Sequence, residues 1–124
     1  MTIRTLVPAG LLVAMAVVPV SAHHSFAMFD RSKTMTLKGT VKEFQWINPH
    51  CWIVVLVPGA QGQPKQWAIE LESPGSLARK GFVPKSLTPG MEISVDVHPL
   101  KDGSPGGSGT GLSLRLPDGT VKPL

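Results

Sequence analysis

The chain is poor in several residue types that small proteins use for stability and catalysis. Cys51 is the only cysteine among 124 residues, so an intramolecular disulfide is excluded. Tyrosine is absent, and only 16% of the residues are charged. The formal net charge of +4 is small and scattered, which argues against a nucleic-acid partner. We therefore expect a domain held together by its apolar core, with Cys51 buried inside it.

Recognisable catalytic motifs are also missing. The sequence contains no Gly-x-Ser-x-Gly, no paired zinc-ligand motif and no phosphate-binding loop. Glu70 and Glu72 are two positions apart, which places both on one face of a strand. An acidic pair of this kind on a half-buried strand is typical of a solvated face. We therefore predict a protein without enzymatic activity.

The apolar stretch at the start of the chain is too short and interrupted to span a bilayer. Leu6 to Val20 contains two prolines and a glycine and falls short of the roughly 20 apolar residues that a span needs. Arg4 precedes this stretch, and small residues lead to Ala22, a pattern typical of a signal peptide. We predict a signal peptide at 1–22, a periplasmic or secreted protein, and one mature domain at 23–124 without a membrane span.

The first part of the mature chain predicts a long, bent strand over 33–46. Its apolar residues alternate up to Val41, and the phase then shifts so that Phe44 continues the apolar face. A phase shift within one strand indicates a β-bulge or a sharp bend. Gly39, just before the shift, permits a close approach of another backbone.

Two further strands are predicted to form a hairpin. Residues 51–57 are nearly all apolar and β-branched, which favours a central strand, and 65–72 alternate between apolar and polar residues. If the hairpin connection runs from Val57 to Lys65, paired residue numbers add up to about 122. A slip of one residue would move the partners to the other face. The predicted pairs are His50 with Glu72 and Trp52 with Glu70.

The second half predicts one short helix and two more strands. Ser73 suits the N-cap, Pro74 the first turn and Gly81 the C-terminal cap of a helix over 73–81. Alternating residues then predict strands at 91–97 and 112–116 and a short final ribbon at 120–121. The Gly/Ser/Pro-rich segment 102–111 between them predicts a mobile surface loop.

Five strands with a bent first strand and a helix between the third and fourth are typical of the OB-fold, a small Greek-key barrel. We therefore predict an all-β domain with one short helix, arranged as a five-stranded OB-fold-like barrel. A small β-sandwich is the alternative, because periodicity does not determine strand order. Neither fold would determine the function.

Several short motifs along the chain resemble an uncharacterised family of small exported bacterial proteins, the domain of unknown function family 6152. The resemblance extends over essentially the whole mature chain. It implies export and a small β-barrel, and it brings no established activity or catalytic residue. The motifs are His23-His24-Ser25-Phe26, Leu37-Lys38-Gly39-Thr40-Val41, Asn48-Pro49-His50, Trp67-Ala68 with Glu70, Ser73-Pro74, and Lys101-Asp102-Gly103-Ser104.

Cleavage after Ala22 would give a mature chain that begins with His23. A terminal histidine can chelate Cu(II) through its amine and its ring nitrogen, and further imidazoles can complete a square-planar set. We take His50 as the leading candidate for the second imidazole, with His24 and His98 as further candidate ligands. A carboxylate beside His50, from Glu70 or Glu72, could orient its ring.

Two hypotheses on function follow. The first is an exported copper carrier or buffer that binds the metal through the histidine start. The second is a non-catalytic barrel that binds a protein or small-molecule partner without a metal, with the paired histidines forming a solvated terminus. Trp52 is the one tryptophan expected near the surface, where its ring could stack on a ligand.

Overall fold

The computed structural model of the chain describes residues 26–124. The predicted signal peptide at 1–22 and the candidate ligands His23 and His24 lie outside the described residues. The described part contains seven strands, one α-helix and a short 3-10 turn at Phe26–Met28. The elements are β1 Met35–Gln45, β2 Trp52–Pro58, β3 Pro64–Glu70, α1 Pro74–Arg79, β4 Glu92–Pro99, β5 Gly106–Ser108, β6 Ser113–Arg115 and β7 Val121–Pro123.

Five of the strands close into a barrel. Their order is β1-β2-β3-β5-β4, and β4 returns to pair with β1. The β3–β5 pair is parallel and the other pairs are antiparallel, while β6 and β7 extend the sheet from β4. Closure leaves no open edge among the five strands. The structure thus confirms the predicted OB-fold-like barrel with a helix between the third and fourth strands. Its interior is filled mainly by Leu37, Val41, Ile53, Val55, Ile69, Leu71, Leu77, Phe82, Val95, Val97 and Leu114.

The bend in β1 lets this one strand pair with two neighbours. Its first half pairs with β4 and its second half with β2. The register with β2 shifts between Val41 and Glu43, which confirms the predicted bulge. A side chain at Gly39 would overlap the carbonyl group of Leu56, so this close approach requires glycine.

The β2–β3 hairpin has the register that the sequence predicted. Trp52 lies opposite Glu70, and the pairing continues without a slip to the end of the hairpin. Beyond the strands, the amide of Cys51 donates to the carbonyl oxygen of Glu72 over 2.9 Å. The register therefore extends to the residues next to His50.

Helix α1 begins and ends at the predicted signals. The Ser73 hydroxyl accepts a hydrogen bond from the amide of Ser76 at 3.2 Å, and Pro74 is the first helical residue. Gly81 follows the helix with a φ of +85°, a conformation that favours glycine. The helix buries Leu77 against the barrel.

The prediction of a surface loop over 102–111 is wrong for its centre. Gly106–Ser108 are buried and form β5, which pairs with β3 on one side and β4 on the other. A Cβ atom on Gly107 would lie 2.7 Å from the carbonyl oxygen of His98. Glycine thus lets the chain pass between two strands. The predicted fifth strand at 112–116 is the short β6, which pairs with β4 and β7 and takes no part in closing the barrel.

Candidate functional site

Four polar or aromatic residues form one row across the barrel. Trp52, Glu70, Ser108 and His98 are direct partners on the successive strands β2, β3, β5 and β4. Direct partners point to the same side of a sheet. The neighbour of Trp52 in β2, Ile53, is fully buried in the core, so the row lies on the outer face of the barrel.

Glu70 is buried although it belongs to this outer face. Its exposed fraction is only 5%. One carboxylate oxygen, Oε1, lies 3.5 Å from Nδ1 of His50. The other, Oε2, is buried and has no hydrogen-bond partner within the described part of the chain. The predicted solvated face is therefore wrong for Glu70. Because an unpartnered buried carboxylate oxygen is costly, it marks a place suited to a cation or a hydrogen-bond donor.

The ring of His50 is held by the backbone. Its Nδ1 atom lies 2.9 Å from the carbonyl oxygen of Leu71. A carbonyl can only accept, so Nδ1 carries a hydrogen, and in the neutral ring Nε2 therefore has the lone pair. The side chain of His50 is 33% exposed, which leaves the ring accessible. Proteins commonly orient metal-binding histidines through such a bond from the other ring nitrogen.

Glu72, the other carboxylate predicted beside His50, has a different partner. Its Oε2 atom lies 3.0 Å from the ammonium group of Lys80. Lys80 also donates to the carbonyl oxygen of Leu124 at 2.7 Å. Glu72 thus connects β3 to the end of α1, and the carboxylate nearest to His50 is that of Glu70.

The other end of the row contains a second histidine in the same tautomer. Nδ1 of His98 lies 2.7 Å from the carbonyl oxygen of Lys33 and donates to it, so Nε2 is the acceptor in the neutral ring of this histidine too. Between His98 and Glu70, Ser108 accepts a hydrogen bond from the amide of Thr110 at 3.3 Å. Trp52, at the opposite end, is half-buried. No sequence pattern indicated Ser108, because it lies in a glycine-rich segment without periodicity.

The described chain begins close to the His98 end of the row. The carbonyl of Met28 accepts a hydrogen bond from Lys101 at 3.0 Å, and the amide of Asp30 donates to Pro99. His23 lies three residues before the 3-10 turn at Phe26–Met28, a span of at most about 10 Å for an extended chain. Neighbouring strands are about 4.8 Å apart, so Glu70 is roughly 10 Å from His98 across β5. The start of the described chain therefore lies beside the end of β4, the strand that carries His98, and two strand spacings away from β3, which carries Glu70.

The described residues do not contain a complete metal site of their own. Among residues 26–124 there is no group of three or more His, Cys, Asp or Glu side chains arranged to hold a metal ion. Cys51 is fully buried, and burial raises the pKa of its thiol, which disfavours the thiolate that binds metals. No helix in the same range is long and apolar enough to cross a membrane.

The fold and the row define a small OB-like β-barrel protein with paired polar groups on one outer face. Residues 11–110 match the model of the Family of unknown function (DUF6152), and the chain belongs to this family. The matched residues include all five strands of the barrel, β1 to β5, together with α1. The match ends before β6. Comparisons with curated proteins and with solved structures gave no match.

Proposed function

We propose that this protein is exported and binds copper at a site formed by its mature N-terminus and the outer face of the barrel. The observation that carries the proposal is the pair of His50 and Glu70. His50 presents Nε2 as a lone-pair donor, and the adjacent Glu70 has a buried oxygen without a partner. A metal cation near this pair would gain a nitrogen ligand and a compensating negative charge.

The donors available to this site suit Cu(II). The amine and imidazole of His23 would form the chelate, and Nε2 of His50 would supply a further nitrogen. Nitrogen and oxygen donors in a planar arrangement are typical of Cu(II) sites. His24 and His98 remain as additional imidazoles. The carbonyl of Leu71 orients the ring of His50, and the carboxylate of Glu70, 3.5 Å from Nδ1, would add a negative charge beside the bound cation.

The proposed role is that of a carrier or buffer in the periplasm or outside the cell. The chain contains none of the catalytic motifs considered above, and the row holds no complete catalytic arrangement. We therefore propose binding without catalysis. The competing proposal is an accessory barrel that binds another partner without a metal, and the titration below separates the two.

The first experiment determines the mature N-terminus. Mass spectrometry of the native exported protein should give a chain that starts at His23. A start at Ala22 would place His24 third, an arrangement that also binds copper, and would shift the ligand set accordingly. A chain that retains residues 1–22 would contradict both export by cleavage and the terminal chelate.

The second experiment measures Cu(II) affinity of the mature form by titration calorimetry. We expect His23→Ala and an N-terminally extended protein each to bind about 10- to 100-fold more weakly. His50→Gln and Glu70→Gln should weaken binding in the same direction. Glu72→Gln is the matched control, because Glu72 pairs with Lys80 and lies outside the proposed site. If all forms bind equally weakly, copper binding is excluded and the metal-free accessory role is supported.

A further inference from the structure

A second surface feature shares no residue with the row from Trp52 to His98. A cleft of about 450 Å³ opens on the outer face of β1 and β4 beside the end of β6. Lys38, Ser94 and Arg115 line it, and they also line a smaller adjoining cavity of about 230 Å³. The proposed copper site uses none of these residues.

The three shared residues form a row of their own. Lys38 lies opposite Ser94, and Ser94 lies opposite Arg115. Two strand spacings, roughly 10 Å, separate the backbones of the two cations. Their long side chains can therefore both reach a group placed above the hydroxyl of Ser94.

Within the described part of the chain, neither cation of this row is in an ion pair with a carboxylate. The three ion pairs found among residues 26–124 involve other basic groups. Arg115 donates from Nη1 to the carbonyl oxygen of Gly119 at 3.1 Å, which fixes one side of its guanidinium group. The remaining donors of Arg115 and the ammonium group of Lys38 are thus available to an anion.

The nearest carboxylate on the neighbouring row is already engaged. Both oxygens of Asp96 accept hydroxyl hydrogen bonds, from Thr36 at 2.6 Å and from Ser113 at 2.7 Å. These two hydroxyls are the main partners of Asp96, and the charge of Arg115 adds a smaller interaction with it. Glu92 also lines the cleft, two residues before Ser94 on the same face of β4, where it disfavours a second anionic group.

We propose that this cleft binds a small organic anion. Its carboxylate or phosphate group would lie over Ser94 between Lys38 and Arg115, because oxyanions accept charge-assisted hydrogen bonds from both types of cation. Its apolar body would contact Pro58, Leu116 and Pro117, which line the same cleft. The volume exceeds the needs of an inorganic ion and lies within the usual range of small-molecule sites.

The test uses metal-free protein, so that its result is independent of copper binding. Phenyl phosphate, benzoate, inorganic phosphate and benzyl alcohol are titrated separately while amide shifts are followed by NMR. Phenyl phosphate or benzoate should bind saturably and shift the amides of Ser94, Arg115 and Leu116. The stronger of the two identifies the preferred head group. Inorganic phosphate and benzyl alcohol, which each lack one half of the ligand, should bind at least about tenfold more weakly.

Charge variants then locate the binding site. Lys38→Gln and Arg115→Gln should each weaken binding of the preferred probe about tenfold. Within residues 26–124 the side chain of Lys38 makes no hydrogen bond or ion pair, so the variant is expected to fold normally. Lys85→Gln removes the same charge from an exposed loop outside the cleft and should leave affinity unchanged. An equal loss in Lys85→Gln, or no saturable binding up to about 10 mM, would overturn the proposal.

Discussion

Oε1 of Glu70 lies 3.5 Å from Nδ1 of His50, while Oε2 of the same carboxylate is buried without a partner. The carboxylate is therefore only half satisfied by the residues around it. Burying a charged group without full compensation costs free energy. In the proposed function this cost is offset when a metal cation binds nearby. The metal-free protein should thus be less stable than it would be without the charge.

The buried charge of Glu70 predicts how Glu70→Gln changes the free energy of unfolding. The variant keeps the shape of the side chain and removes the buried charge, so the free energy of unfolding of the metal-free protein should rise by about 1 kcal/mol. Urea denaturation at neutral pH measures the change. Glu72→Gln breaks a partly exposed ion pair. This variant should instead lower the free energy of unfolding by less than about 1 kcal/mol. A loss of several kcal/mol in Glu70→Gln would show that the carboxylate serves the metal-free fold.

The glycine-rich strand β5 supports a second prediction. A Cβ atom on Gly107 would lie 2.7 Å from the carbonyl oxygen of His98 and 3.1 Å from Cβ of Val97. Backbone atoms cannot move away as a flexible side chain can. Gly107→Ala should therefore lower the free energy of unfolding by about 3 kcal/mol or more. Gly75→Ala is the matched control, because it lies in α1 with its nearest neighbour at 3.8 Å. In Gly75→Ala the free energy of unfolding should rise by about 0.5–1 kcal/mol, because alanine favours the helical conformation more than glycine does. Equal effects in the two variants would contradict the close packing of β5.

Much of the barrel could be predicted from local signals. The side-chain alternation of β2 and β3 and the short connection between them fixed the pairing of Trp52 with Glu70. The phase shift near Val41 indicated the bulge, and Ser73 and Gly81 indicated the ends of the helix. Each of these features is determined by residues only a few positions apart in the chain, so a local sequence pattern is enough to predict it.

Other features depend on parts of the chain that are distant in sequence. Gly106 and Gly107 have no side chains to alternate, so their strand exists only through pairing with β3 and β4. The burial of Glu70 could not be predicted from the sequence either. A polar residue on the outer face of a strand gives the same alternation of apolar and polar residues whether water or another segment covers it. The tautomers of His50 and His98 depend on the carbonyls of Leu71 and Lys33, which no sequence pattern indicates.

Asp96 predicts a specific dependence on pH. Hydrogen bonds from the hydroxyls of Thr36 and Ser113 hold the pKa of this carboxyl group below its ordinary value of 3.8. A carboxyl group with a lowered folded-state pKa stabilises the fold above its unfolded-state pKa. That contribution is lost as the pH falls through the lower folded-state pKa. Stability should therefore decrease below about pH 4.

An NMR titration of the Asp96 carboxyl group measures this directly. The double variant Thr36→Val with Ser113→Ala removes both donors and should raise the pKa toward 3.8. Asp102, whose lowered pKa depends on Ser104, provides an internal control that should titrate unchanged. If the pKa of Asp96 stays low in the double variant, the nearby charge of Arg115 would be its main cause instead.

The buried thiol of Cys51 gives the last prediction. Cys51 has no exposed surface, and burial raises the pKa of its thiol, so both access and thiolate formation are disfavoured. A thiol reagent should therefore modify Cys51 only when the barrel opens. For a domain of ordinary stability this slows labelling by about a thousandfold or more relative to the unfolded chain. Labelling kinetics with and without urea provide the measurement, and Gly107→Ala should accelerate labelling because it destabilises the strand that closes the barrel. Rapid labelling of the native protein at the rate of the unfolded chain would mean that the β2 end of the core opens independently of the rest.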